Sequence, residues 1–237
     1  MAAPINRNDV RDIYIEQLNH AVKGLVQNRN KVFAINLVRS VHEKTDAIVE
    51  RISKTPEGQF DCKPGCSYCC SQRTEALPAE IFLIARELKK LPADRLAALL
   101  IRLSEHAVKA KGLRPEHHNL ACPLLEDSMC SVYDSRPFGC RRFNSLDVEQ
   151  CKDPAGMPPE NEELNMKSAA ILNGTVEGYM KRHLSSYPHE LGAALLKALQ
   201  EPDAEDRWFR GEMVFDPLPD MDEMMANPLP ILITPPA

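Results

Sequence analysis

Apolar residues recur every three or four positions through most of the first 54 residues, the period of an amphipathic helix. Val10, Ile13, Leu18, Val22, Leu25 and Val26 form one stripe; Val32, Ile35, Val38, Val41, Ile48, Val49 and Ile52 continue it. Asn28-Arg29-Asn30 breaks the stripe, which predicts a helical hairpin over 1–56, with Asn8 or Asp9 capping its first helix. Thr55-Pro56-Glu57-Gly58 closes it with turn chemistry. The pattern is lost over 60–75 and then returns. Pro78 suits a helix start, and Ile81–Lys90 reads as amphipathic. A further helix runs from near Pro92 through Leu96, Leu99, Leu100, Leu103 and Val108, with Gly112 as its stop. Residues 113–160 are again irregular, and helical spacing reappears at 161–184 and 189–200. Alternating, strand-like stretches are few.

Both irregular stretches hold cysteines. Cys62, Cys66, Cys69 and Cys70 lie within nine residues, and Cys122, Cys130, Cys140 and Cys151 complete the set of eight. Thiolates a few residues apart converge on one zinc ion or iron–sulfur cluster. Pro64-Gly65 makes a turn that can bring Cys62 to Cys66. Cys70 follows Cys69 directly, and neighbouring side chains diverge, so it is the ligand that spacing supports least. The second group is spaced 8, 10 and 11 positions apart, too loosely for a zinc ribbon of its own. The two groups are therefore expected to share their metal, folding onto each other across the helices between them. The expected fold is mainly α, its helices joined by metal-stapled cysteine-rich loops. It divides into the 1–56 hairpin, a 57–200 cysteine-cluster domain and a 201–237 acidic tail, rich in proline and methionine and extended or disordered.

Charge narrows the function. The chain carries a formal net charge of −5, which argues against nucleic acid as a partner. Residues 201–237 hold nine acids and two arginines. The N-terminal residues do not resemble an export signal, and no stretch approaches the ~20 apolar residues of a membrane span. The expected location is cytoplasmic, where clustered thiols ligate metal or do redox work and structural disulfides are rare. Four disulfides in an exported protein are the alternative on that point.

The run Cys62-x3-Cys66-x2-Cys69-Cys70, then Cys122-Pro-Leu-Leu, then Cys130-Ser-Val-Tyr-Asp-Ser-Arg-Pro-Phe-Gly-Cys140-Arg141, resembles the YkgJ-type cysteine-cluster family over roughly residues 60–152. That family is described as a zinc- or iron-chelating domain and includes flagellin lysine N-methylases. Many members have two residues between the first cysteines, where this chain has three. The resemblance implies that Cys62, Cys66, Cys69, Cys70, Cys122, Cys130, Cys140 and Cys151 are metal ligands, with zinc or an iron–sulfur cluster as cofactor. It also places Arg136 and Arg141 beside the bound group, as donors to sulfur or to an anion. Arg142 stands undecided between that role and the surface.

Two functional classes remain open. The first is a metal-chelating protein whose centre is structural or handles metal; the second is an iron–sulfur enzyme, such as a protein-lysine N-methyltransferase or a redox catalyst. The partners expected are a metal ion and a protein partner or protein substrate. Cys-x3-Cys-x2-Cys is also the spacing of radical S-adenosylmethionine enzymes, but the βα units which that reading needs are missing. Tyr68 and Tyr133 read as packing residues. Glu80 reads as a charge favourable to a helix N-terminus. His117 and His118 could each replace a cysteine, although an exposed loop pair explains them more simply. His20, His42, His106, His183 and His189 have no metal spacing.

Overall fold

In the computed structural model, which describes residues 5–153 and 158–226, the first stripe folds as α1 (Arg7–Gln27), α2 (Lys31–Asn36) and α3 (Val38–Ser53). The cap of α1 is Asn6, two residues before the nearer expected cap, its side chain accepting from Asn8 N. The expected break at 28–30 is used twice. Asn28 ends α1, and the Asn30 side chain accepts from Phe33 N at 2.8 Å to start α2. Such caps satisfy donors that the helix itself leaves open.

The hairpin does not stand alone, because α8 (Glu162–Met180) lies along both α1 and α3. Gly174 and Gly178, one turn apart, allow the approach. A methyl group at 174 would sit 2.7 Å from Tyr14 O, and one at 178 would sit 2.5 Å from Ala21 Cβ. The seam also carries polar bonds. Buried Gln17 donates to Thr175 Oγ1 at 2.8 Å and to Ser40 Oγ at 3.1 Å, and the Tyr14 hydroxyl donates to Glu177.

The other half is built around α4 (Pro78–Leu88), which is buried along almost its whole length. It packs against α9 (Leu191–Gln200), and α9 in turn packs on α5 (Ala93–Ala110). Gly112, with φ at +73°, ends the α5 segment as its sequence position suggests. One apolar core runs through both halves, from Ala21 to Phe215.

The tail expected from residue 201 is corrected over 201–226. Residues Ala204–Phe209 form α10 and Met221–Ala226 form α11. Trp208 is fully buried, its ring 5.7 Å from Phe82 and 5.9 Å from Tyr179, and Phe215 lies 5.2 Å from Phe82. In a chain so poor in aromatic residues, these rings supply bulk that the aliphatic helices lack. Arg73 then ties the segment down through two bonds to Asp220, at 2.8 and 2.9 Å. Residues 227–237 of the expected tail lie outside the described residues.

Two short antiparallel pairs frame the cysteine loops. β1 (Glu75–Ala76) pairs with β4 (His189–Glu190), Ala76 opposite His189. β2 (Leu125–Glu126) pairs with β3 (Met129–Cys130) through Asp127 and Ser128, both at positive φ, as a tight two-residue hairpin requires. That hairpin sets Cys130 opposite Leu125. The molecule is mainly α, with its cysteines in and beside the loops.

Candidate metal centre

Seven of the eight cysteines line one cavity of about 430 Å³: Cys62, Cys66, Cys69, Cys70, Cys122, Cys130 and Cys140. All eight are free thiols, and each is partly buried. Three local structures bring them together. A 3-10 turn at Tyr68–Ser71 carries Cys69 and Cys70, the hairpin delivers Cys130, and α6 (Phe138–Arg142) carries Cys140. Cys70 O accepts from Cys122 N at 2.7 Å, so the first cysteine group is fastened directly to the second. Across the cavity, Ser145 N donates to Cys62 Sγ at 3.1 Å.

Electrostatic neighbourhoods group the thiols around Cys62 and around Cys70, with Cys69 shared between the groups. Cys62 feels Cys66 and Cys151, whereas Cys69 feels Cys70 most, then Cys140, and Cys62 least. Cys70 is felt by Cys122, Cys130 and Cys140, and Cys140 also feels Cys122 and Cys130. The sequence leaves Cys70 as the least certain ligand, yet in space it belongs with the second group. Cys151, on α7 (Val148–Cys151), is absent from the cavity wall and reaches the site only through Cys62.

Burial pushes the Cys122 and Cys140 thiols up to about 12, with nearby thiols adding to the effect. Burial likewise raises Cys62 and Cys130. The adjacent pair splits: the Cys69 thiol donates to Cys70, which raises Cys69 and lowers Cys70. Five thiols thus resist ionising in a half-buried chamber, and a bound cation is what stabilises them as thiolates. The donor set fits a thiophilic metal centre.

Arginines meet this wall differently. Arg136 lies over the Tyr133 ring, 3.9 Å from its centroid, and its charge favours the Cys130 thiolate. Arg141 also lines the cavity, but its described bonds lead away from sulfur. It donates to Asp46 at 2.5 Å, to Arg136 O at 2.9 Å and to the Asp134 carbonyl. Its guanidinium braces the 134–141 segment against α3. Arg142 pairs with Glu160 at 2.9 Å and also donates to Asn165. Tyr68 and Tyr133, expected to pack, are both exposed.

Two features escaped the sequence reading. Glu80 is more than a helix-end charge. Buried at 2% exposure, it accepts from Leu77 N at 3.0 Å and Phe138 N at 2.6 Å, with His42 Nε2 at 2.9 Å. One carboxylate therefore fixes the start of α4, the start of α6 with its Cys140, and the second turn of α3. A glutamate three residues past Leu77, just inside a Pro-initiated helix, was the available signal. The second feature is the histidine pair after α5. His117 is exposed, but His118 is buried beside His106, their ring centroids 5.6 Å apart.

Comparison with known proteins agrees with the cysteine geometry. Residues 61–166 match the CxxCxxCC family model, whose description reads "Putative zinc- or iron-chelating domain". No curated protein and no solved structure matches the chain. The matched segment holds all eight cysteines, whereas α1 to α3 and the helices from α9 onward lie outside it.

Proposed function

Since residues 61–166 belong to the YkgJ-type cysteine-cluster family of zinc- or iron-chelating domains, we propose that this protein binds iron through its cysteines, as iron–sulfur clusters. The breadth of the sulfur chamber carries the reading. A tetrahedral zinc with bonds of ~2.3 Å holds its thiolates ~3.8 Å apart. Among the described residues, no three cysteine sulfurs lie within 4.8 Å of one another. A cluster has a body of its own, iron and sulfide, and spreads its ligands more widely. Cys62, Cys66, Cys69 and Cys151 would hold one centre, and Cys70, Cys122, Cys130 and Cys140 the other. When bound, such a centre supplies one-electron transfer at a potential set by charge, hydrogen bonds to sulfur and burial. Ser145 N, already bonded to Cys62 Sγ, and the Arg136 charge near Cys130 are the groups placed to tune it.

The grouping into two fours equally suits two closed zinc sites with a structural role, and this is the second reading. Anaerobic purification with iron, zinc and acid-labile sulfide analysis separates the two. Iron and sulfide in matching amounts, with broad visible absorption, support the cluster; zinc without sulfide overturns it. Enzymatic use, as a protein-lysine N-methyltransferase or a redox catalyst acting on a protein substrate, rests on the family resemblance and the open chamber. It predicts that S-adenosylmethionine or an oxidant perturbs the cluster spectrum. Thiols of this kind persist in a reducing compartment, so the cytoplasm is the setting proposed. No helix among the described residues is long and apolar enough to cross a membrane.

A further inference from the structure

We propose a second metal site, separate from the cysteines, in which His106, His118 and Glu190 hold one divalent transition-metal ion, zinc or ferrous iron. The three come from distant parts of the chain: the end of α5, the turn that follows it, and β4. Their donor atoms lie within 4.8 Å of one another, the one such trio among the described residues. His106 Nε2 and Glu190 Oε1 are 3.1 Å apart. Bonds of ~2.0 Å to a tetrahedral ion would set two ligand atoms ~3.3 Å apart, so this edge is already formed.

His118 makes the case for a ligand. It is only 6% exposed, and neither ring nitrogen has a hydrogen-bond partner. The Ser71 backbone lies beside the ring, outside hydrogen-bonding geometry. A buried polar ring without a partner forfeits the hydrogen bonds it would make in water, so its presence calls for something to bind. The void it faces is about 10 Å³, lined by Gln72, Thr74, Cys122 and the trio among others. That is room for a single ion or water and not for an organic ligand.

The surroundings support an ion. Glu190 is held from behind, Oε1 accepting from Gly192 N at 2.9 Å and Oε2 from Ala193 N at 2.7 Å. Such outer bonds fix a ligating carboxylate in place. Gly192 also makes room, since a methyl group there would sit 2.4 Å from His106 Cδ2. Cys122 lines both this void and the sulfur chamber, so a cation here would stand next to thiolates and gain from their charge. Imidazole and carboxylate suit zinc and ferrous iron alike. Three protein ligands leave a fourth position free, the pattern of an exchangeable site. Glu190 additionally lines a larger cleft of about 520 Å³ between α5 and α9, on the side from which an ion could enter.

The test loads the full chain with zinc, and in parallel with ferrous iron under anaerobic conditions, in wild type and His118→Ala. Expected is one metal ion fewer per chain in the variant, at unchanged helicity, whichever of the two metals fills the site. Cobalt(II) supplies an independent view of the sulfur chamber, through its thiolate charge-transfer absorption, which the variant should keep. Equal metal content in the two proteins overturns the proposal. Loss of the thiolate band in wild type would instead count against the cysteine centre and leave this site standing. If His118→Ala fails to fold, X-ray absorption at the zinc edge of wild type decides. A fraction of zinc with nitrogen and oxygen neighbours and imidazole scattering supports the site; an all-sulfur shell, or a crystal structure with a water bridging the trio, overturns it.

Discussion

The sulfur chamber and the imidazole–carboxylate corner share a wall at Cys122 but are built on opposite principles. The chamber is wide, lined by soft donors, and assembled from loops whose cysteines crowd together in sequence. The corner is tight, uses harder donors, and is clamped between the end of one helix and the start of another. In the chamber the metal must organise the loops, because the thiols lie apart and mostly resist ionising. In the corner the protein has organised the donors already. The chamber should therefore depend on metal for its fold and the corner should not, which is a difference that mutation can expose.

The largest effect is expected from Cys66→Ser and Cys130→Ser. Each removes a thiolate from a different set, and metal binding of this kind carries on the order of 10 kcal/mol of folding free energy. Both variants should lose metal and melt at much lower temperature. Normal metal content and an unchanged melting temperature would remove the chamber's claim to be a staple.

Glu80→Ala tests the frame without touching a thiol. It strips the partner from two buried backbone N–H groups, at Leu77 and Phe138, each costing about 1–3 kcal/mol. Stability measured by urea unfolding should fall by roughly 2–6 kcal/mol, and Cys140 should lose its anchored helix start. A drop below 1 kcal/mol would show that α6 is positioned by metal and not by Glu80. Gly178→Ala, far from both sites, should cost about 1–3 kcal/mol by forcing α8 off α1. Its metal content should stay normal; metal loss here would mean that the α1–α8 seam and the chamber form one cooperative unit.

How much of this was legible in the sequence follows the same divide. Helical spacing is a local signal, so the mainly α class, the break at Asn28–Asn30 and the stop at Gly112 could be read directly. The cysteines could be read because their chemistry is rare and their spacing short. The order of residues 201–226 could not be. Its acids and prolines mark it as solvated, whereas Trp208 and Phe215 turn inward onto Phe82 of α4, a distant partner that no local pattern names. The corner was the least legible. Residues 106, 118 and 190 become neighbours only when α5, β4 and α9 pack, and no linear motif records that event. Arg141, placed beside the bound group by the family resemblance, does line the chamber, but its ion pair with Asp46 on α3 had no signal in the sequence.

The smallest effect concerns acid, and it falls on the corner side. His189 sits in β4 next to Glu190, 1% exposed. Its Nδ1–H donates to Asp216 O at 2.8 Å, and its Nε2 is buried without a partner. Burial holds its pKa below the ordinary value, outweighing the nearby Asp216. The folded chain thus keeps His189 neutral at a pH where the unfolded chain, titrating near ~6.5, takes up a proton. Stability from this source is complete above that value and declines as pH falls below it, at no more than about 1.4 kcal/mol per pH unit. Urea unfolding from pH 7.5 down to ~5 should show a shallower decline in His189→Gln than in wild type. Protonation of the thiols is common to both proteins and cancels in the difference. Parallel curves would mean that β4 opens in acid before His189 is reached, and the corner would then be the looser of the two regions.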